Sequence, residues 1–92
     1  MINAIILLNV QRDSINTVAE KLIEFDEISE VYSVSGNYDL IALVRVMTNE
    51  SLAKLVTQTM GTIDGIEHTE TMIAFKTYSR YDLERIFSVG MD

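Results

Sequence analysis

The sequence predicts an α+β fold in which four antiparallel strands form one sheet and two helices cover one of its faces, in the order βαββαβ. Three observations predict it. Four apolar-rich runs read as strands, two segments between them carry apolar residues at helical spacing, and a glycine–asparagine turn rather than a helix joins the second run to the third. At 92 residues, with 48% hydrophobic and 23% charged side chains, the chain reads as one globular domain over residues 1–92, with too much apolar content for disorder.

The first run, Ile2 to Val10, is too short for a typical helix and is closed by Gln11-Arg12-Asp13, so it is a strand. Ala4, Ile6, Leu8 and Val10 share one face; Ile5 and Leu7 lie between Asn3 and Asn9 on the other, so the strand is expected to be covered on both sides. Asp13 or Ser14 can cap a helix in which Ile15, Val18, Ala19, Leu22 and Ile23 form one stripe. Phe25-Asp26-Glu27 ends it, and Ile28 to Ser35 is the second strand, with Tyr32 and Val34 on one face. Gly36-Asn37-Tyr38-Asp39 is a hairpin turn, because Gly and Asn tolerate positive φ.

Leu40 to Met47 is the third strand. Thr48-Asn49-Glu50-Ser51 supplies cap residues for a second helix carrying Leu52, Leu55, Val56, Thr59, Met60 and Ile63, broken near Gly61 and Gly65. Ile66 to about Tyr78 is the last strand, with Thr69, Thr71, Ile73, Phe75 and Thr77 on one face and His68, Glu70, Met72, Ala74 and Lys76 on the other. A short tail or helix from about residue 80 follows, in which Leu83, Ile86 and Phe87 share helical spacing.

This order is the ferredoxin-like split arrangement. Two helices cover only one face of such a sheet, yet Ile5, Leu7, Ile41, Leu43 and Met47 are apolar on the other. A second copy packed sheet to sheet is the expected cover, giving a two-fold dimer of the dimeric α+β barrel type.

Composition narrows the function. Seven Lys+Arg against 14 Asp+Glu give a net charge of -7, a field that repels phosphates and anionic membrane surfaces, so direct contact with nucleic acid or membrane is not expected. The chain has no cysteine, which excludes disulfides, Cys-ligated metals and thiol catalysis and fits a reducing cytoplasm. The apolar Ile2–Val10 run lacks a basic flank and a cleavage site and is under half a membrane helix in length, so it is neither leader nor span. The expected location is cytoplasmic.

The catalytic inventory is thin. His68 is the only histidine; with Glu67 and Glu70 it could form a metal cluster, but a solvated strand face is the better reading, so no metal and no cofactor are expected. Asp26-Glu27 and Glu67 with Glu70 lack the enclosed surroundings that raise a carboxyl pKa for acid/base work. The four glycines show no phosphate-binding spacing, and Tyr32, Tyr38, Phe75 and Tyr78 lack the basic neighbours of an RNA-stacking surface. No catalytic residue is assigned.

Two places remain, the Gly36–Asp39 turn and Thr69-Glu70-Thr71. The pattern Val34-Ser35-Gly36-Asn37-Tyr38-Asp39-Leu40, Val44, Leu52, Gly65-Ile66, Thr69-Glu70-Thr71-Met72-Ile73 and Lys76 resembles the effector-binding (RAM) domain of the Lrp/AsnC family of transcriptional regulators, over nearly the whole chain. Regulators of that family carry an amino-terminal helix-turn-helix, and this chain starts at the first strand, so the resemblance implies a stand-alone form without its own DNA-binding domain, in accord with the acidic charge.

The resemblance implies a non-enzymatic sensor of an amino acid or related small molecule. Its dimers would associate into rings such as octamers with effector held between dimers, and co-assembly with full-length Lrp/AsnC regulators would link it to transcription. The implied effector-binding residues are Gly36, Asn37, Tyr38, Asp39, Thr69 and Thr71. Asp39 could accept from a ligand's ammonium while turn N–H groups and threonine hydroxyls donate to its carboxylate. The same residues have purely structural uses, as turn formers and ordinary strand residues. Two alternatives stay open: a small dimeric α+β barrel enzyme of the monooxygenase or isomerase type, and a purely structural partner of a full-length regulator.

Overall fold

A computed structural model describes residues 1–80. Its sheet has four strands, β1 (Ile2–Val10), β2 (Ile28–Ser33), β3 (Leu40–Val46) and β4 (Ile66–Ile73), in the spatial order β2-β3-β1-β4 with every neighbour antiparallel. Two helices, α1 (Ile15–Leu22) and α2 (Asn49–Lys54), connect β1 to β2 and β3 to β4. The expected ferredoxin-like α+β fold is therefore the fold observed.

Alternation along β1 decides where the core lies. Ala4, Ile6, Leu8 and Val10 are buried on the helix side, and Leu40, Ala42, Val44 and Val46 of β3 join them. Val18 and Leu22 of α1 are fully buried against this layer, while Ile15 and Ala19 pack at its margin. Ile23 caps the C-terminal end of α1 and is 48% exposed, so the predicted stripe ends one residue early. Asp13 or Ser14 was expected to cap α1, but a 3-10 turn over Arg12–Ser14 leads into it, and the Ser14 hydroxyl donates to Asp13 instead of accepting from the helix.

Thr48 does cap α2, its side chain accepting from the Ser51 N–H at 3.1 Å. Beyond Lys54 the chain departs from the regular helix the spacing predicts: Leu55–Thr59 forms a π turn and Met60–Thr62 a 3-10 turn. The wider π turn shifts the inward position by one residue, so Met60 is buried and Thr59 lies at the margin. Gly65 then has a φ of +103°, and its carbonyl accepts from the Gln11 N–H at 2.8 Å, fixing the start of β4 against the end of β1.

Three strand ends fall short of expectation, the first two because the partner strand reaches no further. β2 stops at Ser33, the residue paired with Leu40, where β3 begins. β3 stops at Val46, paired with Ile2 at the start of β1. β4 stops at Ile73 rather than near Tyr78; Ala74 still donates to the Asn3 carbonyl, and the Asn3 amide donates to Thr77. Phe75 in this segment is fully exposed. The predicted tail with Leu83, Ile86 and Phe87 lies outside the described residues.

The face away from the helices is ordered in rows set by the register. Tyr32, Ile41, Leu7 and Glu70 form one row, and Glu30, Leu43, Ile5 and Met72 the next. Its centre, Ile5, Leu7, Ile41 and Leu43, is aliphatic and only half-buried. Met72 at its edge is 45% exposed. No described helix is long and apolar enough to cross a membrane.

Candidate functional site

The turn between β2 and β3 is held by its backbone and by the end of β1. Val34 N–H donates to the Asp39 carbonyl at 3.0 Å, and Gly36 takes a φ of +112°, a value that favours glycine. Where β3 starts, β1 runs on past it for two residues, and the turn supplies their partners. The Asp39 N–H donates to the Leu8 carbonyl at 2.9 Å, and the Asp39 carboxylate accepts from the Val10 N–H at 2.8 Å. One residue back, the Asn9 side-chain amide donates to the Asn37 carbonyl at 2.8 Å. Asp39 thus replaces a missing strand residue, and the end of β1 anchors the turn at both Asn37 and Asp39.

Tyr38 points toward the face away from the helices, where its hydroxyl donates to the Glu70 carboxylate. That bond raises the Tyr38 pKa above its ordinary value, first because the carboxylate accepts the phenolic proton, then through desolvation and the carboxylate's charge. Tyr32 makes the same kind of bond to Glu30 on the same face, at 2.8 Å, and its pKa is raised for the same leading reason. The open face therefore has an aliphatic centre with a tyrosine–carboxylate pair at each side.

Thr69 and Thr71 lie elsewhere. They pair with Leu8 and Ile6, so alternation puts them on the helix face. Thr71 lines a groove of about 290 Å³ under α2, with Leu52, Ala53, Val56 and Ile73. Thr69 lines an adjoining recess of about 180 Å³ beside Val56, Met60 and Ile63. On this side β4 offers threonines where β1 and β3 offer aliphatic residues, so each groove carries a hydroxyl on its wall. Neither includes a residue of the turn.

The six sequence-predicted residues thus fall into two groups: Gly36, Asn37, Tyr38 and Asp39 around the end of β1, and Thr69 and Thr71 on the opposite face of the edge strand. Glu70 and Asn9, which the sequence reading passed over as site residues, tie the turn to the sheet. The available signal was alternation, which sets Glu70 on the face opposite its two threonine neighbours. Among the described residues no three His, Asp or Glu side chains are grouped closely enough to hold a metal ion.

Comparison with known proteins adds a second line of observation. Residues 3–83 match the family model described as the Lrp/AsnC ligand binding domain. The HTH-type transcriptional regulator FL11 of Pyrococcus furiosus is 38% identical over 75 residues, which are 82% of this chain and 49% of that protein. The chain spans about half the length of the first curated relatives it matches. Among solved structures, TTHA0845 of Thermus thermophilus superimposes with a TM-score of 0.81 at 41% identity, covering 87% of this chain and 100% of that one. The feast or famine regulatory protein of M. tuberculosis complexed with L-methionine superimposes with a TM-score of 0.72 at 26% identity, covering 87% of this chain and 54% of that one.

Proposed function

The chain belongs to the Lrp/AsnC ligand-binding domain family, and from that premise we propose that it is a small-molecule sensing and oligomerisation module of transcription regulation. The ligand is an amino acid or related metabolite, and the module works in the cytoplasm without enzymatic activity. Residues 1–92 act as one ligand-binding unit. The effector-binding residues are Gly36, Asn37, Tyr38, Asp39, Thr69 and Thr71.

One observation carries this reading: the half-buried aliphatic centre of the open face, Ile5, Leu7, Ile41 and Leu43, bordered by the Tyr38–Glu70 pair at the turn. An aliphatic face of this kind is stabilised by a second copy packed against it, and its polar border then lies beside the seam. The split of the six residues between two faces supports a site completed by another subunit. Dimers joined through such sites build a larger ring such as an octamer, and a ligand that binds the ring better than the dimer shifts the assembly equilibrium. Co-assembly with full-length Lrp/AsnC regulators carries the signal to DNA, which the module with its net charge of -7 does not contact itself.

The L-methionine complex of a 26% identical relative supports the ligand class. The names of the relatives as transcriptional regulators support a non-enzymatic role. The test is a thermal-shift screen of the common amino acids combined with oligomer mass measured with and without each. The expected result is a stabilised protein and a changed mass distribution for at least one of them. A monomer that no amino acid stabilises would end the proposal.

A further inference from the structure

We infer that the ligand lies in the trough between α2 and β4, with its side chain in the larger groove beside Ala53 and its ammonium at the Glu67 end. This rests on the sensor reading above and narrows the ligand to an amino acid with an uncharged, apolar side chain.

Both cavities open on the helix side of the sheet, which stays free when a second copy covers the other face. They share Val56 as a wall and so form one trough along β4. Val56 stands at this divide because it belongs to the π turn: Leu55 and Met60 are both drawn into the core, and Val56 between them is left half-buried above the edge strand. A π turn set into a helix is frequent at functional sites. Neither the Thr69 nor the Thr71 hydroxyl has a hydrogen-bond partner among the described residues, so each is available to a ligand.

The two ends of the trough differ in polarity. The larger groove is walled mainly by Leu52, Ala53, Val56 and Ile73, and no charged side chain lines it among the described residues. A charged group placed there loses its water without gaining a partner, so the groove takes an apolar side chain. The smaller recess carries Glu67 and His68 beside Thr69. Glu67 is the one carboxylate that lines either cavity among the described residues, and it favours a cationic group at that end. Thr69 and Thr71 are two residues apart on one strand face, about 7 Å at the rise of a strand, the length scale of one amino acid laid lengthwise. The end of its side chain then lies against Ile73, which is 51% exposed.

The test is calorimetric titration of the full chain with alanine, 2-aminobutyrate, norvaline and norleucine, which grow by one methylene each, and with lysine and glutamate. It is repeated on Ala53→Leu, Glu67→Gln and Glu20→Gln. Ala53 is exposed on α2, so a leucine there extends into the groove without entering the core. In wild type, affinity is expected to rise about fourfold per methylene, and lysine and glutamate should bind more weakly than norleucine. Ala53→Leu should flatten the rise at unchanged oligomer mass, and Ala53→Met, a second filling variant, should do the same. Glu67→Gln should weaken the four uncharged ligands alike, by about two- to fivefold, and keep the rise. Glu20→Gln, on the exposed side of α1, should match wild type. A wild-type series without a rise, or a rise that both filling variants leave intact, overturns the groove as the side-chain pocket. A Glu67→Gln protein that binds as Glu20→Gln does overturns the placement of the ammonium. If none of the six amino acids binds, this inference fails, and the thermal-shift screen above decides separately whether the sensor reading fails with it.

Discussion

The Asp39 carboxylate accepts from the Val10 backbone N–H at 2.8 Å, so a side chain completes a β ladder that the backbone of β3 cannot reach. This bond gives Asp39 a role in the fold that is present without ligand. Asp39→Ala should lower the unfolding free energy by about 1.5–3 kcal/mol, the range for a hydrogen bond to a charged group. Asp39→Asn, which keeps an acceptor oxygen, should lose clearly less. Urea unfolding at fixed protomer concentration measures both, and an unaffected Asp39→Ala protein would show that the bond contributes nothing.

The two glycines with positive φ should respond unequally to alanine. At Gly36 a Cβ meets nothing within 4 Å, so Gly36→Ala carries only backbone strain, about 1–3 kcal/mol. At Gly65 the Cβ would lie 2.8 Å from the Ser14 Cβ and 3.3 Å from Val18, so Gly65→Ala adds a steric clash of about 1–3 kcal/mol to similar strain. Thermal melts of the two variants should rank Gly65→Ala as the less stable.

Helix capping offers a paired comparison. Thr48→Ala removes an acceptor for the Ser51 N–H and should cost about 1 kcal/mol. Ser14→Ala removes a hydroxyl that does not cap its helix, and should stay within about 0.5 kcal/mol of wild type. Equal losses in a denaturant titration would contradict the assignment of caps.

The two tyrosine–carboxylate pairs predict an alkaline signature. Tyr32 and Tyr38 should ionise above the ordinary value of about 10, as followed by phenolate absorbance, and Glu70→Gln should bring Tyr38 back toward that value. Because the folded-state pKa is raised, the stabilisation by each pair is complete below the ordinary value and disappears as pH rises through the raised one. Tyr38→Phe should therefore differ from wild type at neutral pH and converge with it in strong base.

Much of the fold was legible because its signals are local. Alternation along Ile2–Val10 assigned every buried residue of β1, and the Thr48 cap marked the start of α2. The π turn at Leu55–Thr59 was not legible, since regular helical spacing places the same residues, Thr59 and Met60 included, on the inward stripe. At the site, the turn could be located, but the face its side chains reach depends on register, which links residues far apart in sequence. Glu70 emerged only once Leu7 was known to lie beside it. Thr69 and Thr71 fall away from Tyr38 for the same reason.

The position of β1 between β3 and β4 also governs the order in which the molecule can be completed. A ribosome delivers β1 well before β4, so one whole side of its backbone waits for a partner that begins at Ile66. Until then the central strand of the finished sheet is an outer edge, able to pair with any other extended chain nearby. Closing so distant a contact is slow, so that edge stays open to misplaced pairing until Ile66–Ile73 is in place.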